Sequence, residues 1–159
     1  MADQVHVPTA SFGPLTRSML SDYAQASGDN NPLHTDDAAA RLAGHREVIG
    51  QGMLSMAFVG RWVMSWCSTG ELKSLSSRFT APTPLGSLLR CEGEVSDVRT
   101  GSVTVAYTVT IETSDMVAIR GTVVVAPAVI ERLEGPRARR PGGGVGAWSA
   151  WSLGCAARR

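Results

Sequence analysis

The stretch "SGDNNPLH", residues 27–34, sets a carboxylate (Asp29) and an imidazole (His34) five positions apart, with an Asn-Pro turn between them. Brought together by a tight turn, such a pair can grip one water molecule, each group taking one of its hydrogen bonds. Pro32 fixes the backbone of the turn, and the Asn31 side-chain amide can hold the loop or a ligand. In a dry site the carboxylate would set the imidazole tautomer and the pair could shuttle a proton, an effect of roughly 10² to 10⁴ in rate. On spacing alone the same residues also fit a solvated turn in which His34 caps a neighbouring group. Both readings stand at this point.

A second candidate lies downstream at Gly52, which opens the apolar run "GMLSMAFVGRWVMSW" over residues 52–66. The first N–H groups of a helix lack internal partners and sit at its positive end. An uncovered glycine N–H at the head of a core helix can stabilise a carbonyl oxygen as charge builds on it. The alternative is a glycine selected for close packing.

These residues need elements to hold them. Leu15–Ala26 predicts a short amphipathic helix with Thr16 as N-cap and Gly28 just beyond its end, which delivers the octet. Asp36 predicts the cap of a second short helix, "DAAARLA", stopping at Gly44. Residues 52–66 read as a helix without a polar face, so burial on nearly all sides is expected. Four strand-like runs follow, at residues 72–79, 88–97, 102–113 and 116–126, separated by turn sequences at hairpin spacing. In "SVTVAYTVTIET", Val103, Val105, Tyr107, Val109 and Ile111 alternate with polar residues, so one face is covered. A sheet that needs covering and a helix that needs surrounding predict an α+β hot-dog fold, a long antiparallel sheet curled around one central helix.

Composition limits the possibilities. The chain has 159 residues, 43% hydrophobic and 18% charged, which fits one globular domain. The expected domain is residues 1–130, with residues 131–159 as an Arg, Gly and Pro-rich appendage outside the fold. Through Ile130 there are nine basic against twelve acidic residues, so nucleic acid is not an expected partner. The run Gly142–Gly144 lacks the Lys-Ser or Lys-Thr of a phosphate loop. Cys67, Cys91 and Cys155 are widely spaced and predict free thiols rather than a zinc site or a disulfide framework. The N-terminus lacks the pattern of a signal peptide, and the most apolar stretch is too short to span a bilayer, so a cytoplasmic protein that avoids membranes is expected.

The strings "SGDNNPLHTDDAAARLAG" and "VIGQGMLSM", with "RFTAP" at residues 78–82, resemble the signature of the MaoC-like, or hydratase-2, family of hot-dog enzymes, in particular the catalytic subunits of 3-hydroxyacyl-carrier-protein dehydratases. The likeness runs from about Leu15 to Pro127. It implies reversible hydration of trans-2-enoyl thioesters to (3R)-3-hydroxyacyl thioesters carried on coenzyme A or acyl carrier protein, with no metal or redox cofactor. By position it makes Asp29 and His34 the holders of the catalytic water and Gly52 N–H the oxyanion donor. Asn31, Gln51 and Met53 fall beside them as substrate-binding positions. It implies a homodimer, or a heterodimer with a related hot-dog subunit. The chain departs from the usual family pattern at Gln51, where His is usual, and at Ser87, where Asp is usual. A hot-dog thioesterase would want a carboxylate on the core helix, and residues 52–66 contain none. A non-catalytic pairing subunit would be expected to lack the octet's Asp and His.

Overall fold

The computed structural model of the protein describes residues 5–134. In chain order the elements are β1 (His6–Phe12), α1 (Arg17–Ser27), a single 3-10 turn (Pro32–His34), α2 (Asp37–Leu42), α3 (Gly52–Trp66), β2 (Leu72–Phe79), β3 (Leu89–Arg99), β4 (Ser102–Ile111), β5 (Met116–Val125) and α4 (Pro127–Glu134). The strands form one antiparallel sheet in the order β1-β3-β4-β5-β2. This is the expected α+β hot-dog arrangement.

The alternation in β4 places Val103, Val105, Tyr107, Val109 and Ile111 in the core. They meet the inner face of α3, where Leu54, Phe58, Val59, Trp62, Val63 and Trp66 are buried. Trp62 is the centre of this contact. Its ring lies 5.4 Å from Trp66 and 5.8 Å from Tyr107, and its indole N–H donates to the Pro8 carbonyl at 2.6 Å. The Tyr107 ring passes over Gly121, its partner across the β4–β5 ladder. A side chain at position 121 would collide with that ring and with the Ser76 carbonyl, so the close packing of Tyr107 over β5 and β2 requires glycine there.

Three features differ from the sequence expectation. First, α3 is buried on one side only. Met53, Ala57, Arg61 and Met64 are exposed, because five strands wrap half of the helix, while Arg61 lies over the Phe12 ring at 5.4 Å. Second, a fifth strand, β1, pairs with β3. Pro8 removes a ladder donor, and the register shifts between Val7 and Ala10, which an edge strand tolerates. Third, α4 crosses the expected domain boundary at residue 130. Val129 and Ile130 are buried in the core, and Arg132 ties the helix to Glu71. The remainder of the anticipated appendage, residues 135–159, lies outside the described residues, as does Cys155. Cys67 and Cys91 are free and buried.

Candidate active site

The octet is built by local hydrogen bonds. Thr16 caps α1, its hydroxyl oxygen accepting from the Met19 N–H at 3.3 Å. The helix ends at Gly28, whose φ of 76° is the left-handed conformation that glycine adopts without strain. Asp29 Oδ1 then accepts from the Asn31 N–H at 3.3 Å, and Asn31 Oδ1 accepts from the Leu33 N–H at 3.1 Å. Each side chain closes the turn that follows it, and Pro32 occupies the first position of the 3-10 turn. Asp36 caps α2 through the Ala38 N–H at 2.8 Å. A cluster of charges clamps the two flanking helices. Arg17 on α1 reaches both Asp37 oxygens at 3.1 and 3.0 Å and Glu47 at 3.0 Å, and Asp37 also accepts from the Val48 N–H at 3.0 Å. The Arg17 hydrogen bonds hold the Asp37 carboxyl below the usual carboxylate range.

This frame brings His34 to Asp29. The imidazole Nδ1 lies 2.8 Å from the Ile49 carbonyl, which can only accept, so Nδ1 carries a proton, and in the neutral form of the ring Nε2 presents its lone pair. That Nε2 stands 3.9 Å from Asp29 Oδ2. The distance is too long for a direct hydrogen bond, and both atoms are acceptors, so a single water donating one hydrogen to each fits between them. The His34 side chain is 11% exposed and that of Asp29 40%, which places the imidazole inside and the carboxylate at the rim. The Ile49 N–H donates to the Leu33 carbonyl at 3.1 Å, a second tie between the octet and the segment leading into α3.

Gly52 is the first residue of α3, and its N-cap, Gln51, contributes no side-chain cap bond. A cleft of about 370 Å³ includes both His34 and Gly52 in its lining, with Ile49, Phe79, Pro82, Thr83 and Ile119 among its walls. The Phe79 ring lies where a Cβ on residue 52 would come within 3.3 Å of it, so the helix start faces the cleft without a side chain over it. The structure thus joins three of the sequence-derived residues, Asp29, His34 and Gly52.

Asn31, Gln51 and Met53 do not line the cleft. The Asn31 oxygen closes the loop, and Met53 is 53% exposed on the outer side of α3. Gln51 is fully buried, its Nε2 donating to the Leu20 carbonyl at 2.9 Å, while its Oε1 has no partner among the described residues. Its contact is therefore to α1, the helix that carries the octet. Among the described residues, no group of three or more His, Cys, Asp or Glu is placed to hold a metal ion. No helix among them is long and apolar enough to cross a membrane. Sequence reasoning missed Phe79, Thr83 and Ile119 as walls. Phe79 lies in the quoted "RFTAP", but Thr83 and Ile119 carry no local signal, because the ladder and the Ile49–Pro84 bridge bring them in. A larger groove, about 530 Å³, lies at residues of β1, β3, β4 and β5 and includes neither the octet nor Gly52.

Residues 5–117 match the family described as MaoC like domain, and the chain belongs to that family. Among solved structures, the R-hydratase PhaJ1 from Pseudomonas aeruginosa is similar at 26% identity and a TM-score of 0.64, over 91% of this chain and 100% of the other. The (R)-hydratase from A. caviae involved in PHA biosynthesis is similar at 25% identity and a TM-score of 0.63, over 75% and 93%. Among curated proteins, the 3-hydroxyacyl-thioester dehydratase X of Mycobacterium tuberculosis is 40% identical over 33% of this chain. The 3-oxo-4,17-pregnadiene-20-carboxyl-CoA hydratase alpha subunit of the same organism is 40% identical over 26% of it. The matched stretches make up only 19% and 14% of those two relatives. These relatives and solved structures are called hydratases and a 3-hydroxyacyl-thioester dehydratase.

Proposed function

We propose that the protein hydrates trans-2-enoyl thioesters to (3R)-3-hydroxyacyl thioesters and catalyses the reverse dehydration, on coenzyme A or acyl carrier protein. The observation that carries this reading is the 3.9 Å gap between two acceptors, Asp29 Oδ2 and the bare His34 Nε2, beside a cleft that also contains Gly52. A water donating to both acceptors turns its lone pair outward. Its oxygen bonds to C3 as one of its protons passes to His34 Nε2, and the C2–C3 π electrons move toward the thioester carbonyl. Gly52 N–H, at the positive end of α3, stabilises that oxygen. The proton then passes from His34 to C2, and the carbonyl re-forms. The resulting imidazolium keeps its Nδ1–H on Ile49 and is balanced by the Asp29 carboxylate. These groups supply every proton and charge the reaction moves, so the proposal calls on no metal or redox cofactor.

A thioesterase or a non-catalytic pairing subunit would use the same fold. The absence of a carboxylate on α3 and the intact octet favour the hydratase. Adding purified protein to crotonyl-CoA separates the three: loss of the enoyl absorbance to 3-hydroxybutyryl-CoA supports hydration, release of free thiol indicates a thioesterase, and unchanged substrate indicates a pairing role.

The exposed apolar residues of α3, together with the free edge of β2, favour a dimer with a second copy or a related subunit. The crystal structure of the ChsH1-ChsH2 complex from Mycobacterium tuberculosis shares the fold, with a TM-score of 0.68. Light scattering on the protein expressed alone should give a dimer, and an active monomer would contradict the pairing. The thioester substrate makes the cytoplasm the fitting compartment.

A further inference from the structure

Two hydroxyls are buried against the first turn of α3. Ser55 is 1% exposed and Thr83 is 4% exposed. Their oxygens stand 3.4 Å apart, well beyond the separation of about 2.7–2.8 Å usual between bonded hydroxyls. Among the described residues neither hydroxyl has another partner. Each carries one hydrogen, and their mutual bond uses one of the two, so the other is a buried donor with nothing to donate to. An aliphatic side chain at either position would avoid that cost. The fold therefore gains little from this pair, and its place beside the cleft supplies another use.

Thr83 lines the cleft that contains His34 and Gly52. It also touches the chain on both sides of Gly52. Its carbonyl accepts from the Gly50 N–H at 2.8 Å, and a Cβ on residue 50 would stand 3.6 Å from the Thr83 Cβ. Its hydroxyl meets Ser55, three residues after Gly52 on α3, a spacing that puts two helix positions side by side. The Thr83 side chain is thus held against the turn that presents the Gly52 N–H. The other threonine of the cleft is not free for this work, since the Thr80 hydroxyl donates to the Val117 carbonyl at 2.6 Å. A thioester oxygen that gains charge has lone pairs for two donors, and the backbone N–H of Gly52 fills one place. Resting on the hydratase reading above, we propose that the Thr83 hydroxyl is the second donor to the thioester oxygen and that Ser55 positions it. Ser55 O–H donates to Thr83 Oγ1, which turns the Thr83 hydrogen toward the cleft. Each bond in such a chain polarises the next, and the long Ser55–Thr83 bond shortens as charge builds on the substrate.

The test reads the carbonyl itself, without turnover. Butyryl-CoA is saturated and cannot be hydrated, and an isotope label at its thioester carbonyl isolates that stretch in infrared difference spectra of the full chain. Binding to the wild type should move the stretch to lower frequency. Thr83→Val keeps the branched shape and removes one of two donors, so it should cut the shift by roughly half. Ser55→Ala should cut it less, and Thr83→Ser, which keeps the hydroxyl, should retain most of it. In crotonyl-CoA hydration, kcat should fall by about 10² in Thr83→Val and about tenfold in Ser55→Ala, with KM little changed. A wild type that leaves the stretch unmoved, or a Thr83→Val protein with the wild-type shift, would overturn the donor. A Ser55→Ala protein with the wild-type shift and kcat would overturn the positioning role. A shift that depends on Thr83 in a protein that leaves crotonyl-CoA unhydrated would count against the reaction and leave the donor standing.

Discussion

Gln51→Leu separates positioning from stability at the head of α3. In the wild type the buried amide donates to the Leu20 carbonyl at 2.9 Å and leaves Oε1 without a partner. Substitution removes a hydrogen bond worth about 1 kcal/mol and also removes a buried acceptor whose desolvation costs about 1–3 kcal/mol. Leucine is similar in size, so no large cavity forms. The net change should lie between zero and a gain of about 2 kcal/mol, which for a domain of this size leaves the melting temperature unchanged or raises it by up to about 8 °C. Catalysis should respond differently. The lost bond links α1, which ends in the octet, to the residue preceding Gly52, so the water site and the oxyanion donor lose one of their ties. Misplacement of about 1 Å can cost on the order of 10² in rate, and a fall in kcat of at least tenfold with little change in KM is expected. Gln51→His, whose ring N–H can still donate to Leu20, should recover most of it. Scanning calorimetry and steady-state hydration of crotonyl-CoA supply both numbers. A folded Leu variant with wild-type kcat would refute the positioning argument, and a loss of more than about 8 °C would refute the burial argument.

Two further outcomes concern the frame. The Arg132 hydrogen bonds, together with those from Ser68, hold the Glu71 carboxyl down to about 2 from its ordinary 4.5. A depressed carboxylate stabilises the fold above its unfolded value, so this contribution is intact above about pH 4.5 and is lost as the pH falls toward 2. Arg132→Ala should therefore melt below the wild type at neutral pH and converge on it in that window, and a constant difference down to pH 2 would contradict the assignment. Ending the chain at Ala126 removes the buried Val129 and Ile130 along with the Arg132 pair. At about 1.5–3 kcal/mol for each apolar side chain, the melting temperature should fall by roughly 12 °C or more. A shortened chain that melts like the full one would show that α4 is dispensable.

Periodicity and punctuation carried most of the fold. The strict alternation of β4 and the turns around it placed β2 to β5 within two residues of their observed ends, and Thr16, Gly28 and Asp36 marked helix ends that the structure places as expected. β1 escaped because Pro8 reads as a strand breaker, and only pairing with β3 and the Trp62 bond to the Pro8 carbonyl reveal it as an edge. α4 escaped because its eight residues adjoin a stretch of Arg, Gly and Pro, and its two buried side chains depend on long-range packing. At the site, Asp29 and His34 were legible because a local turn brings them together. The Ile49 carbonyl that sets the His34 tautomer was not, since that contact spans fifteen residues and comes from the backbone. Gln51 adjoins the oxyanion glycine in sequence, yet its side chain turns away from the cleft and into the core, a direction that sequence spacing does not encode.

The measurement that bears most directly on the water-holding pair is the rate and product configuration of crotonyl-CoA hydration by the wild type, Asp29→Asn and His34→Ala. Neither side chain is part of the hydrophobic core, so both variants should remain folded with melting temperatures near that of the wild type. The wild type should give (3R)-3-hydroxybutyryl-CoA, and each variant should lose roughly 10² to 10⁴ in kcat. A folded His34→Ala or Asp29→Asn protein with wild-type turnover would contradict the account.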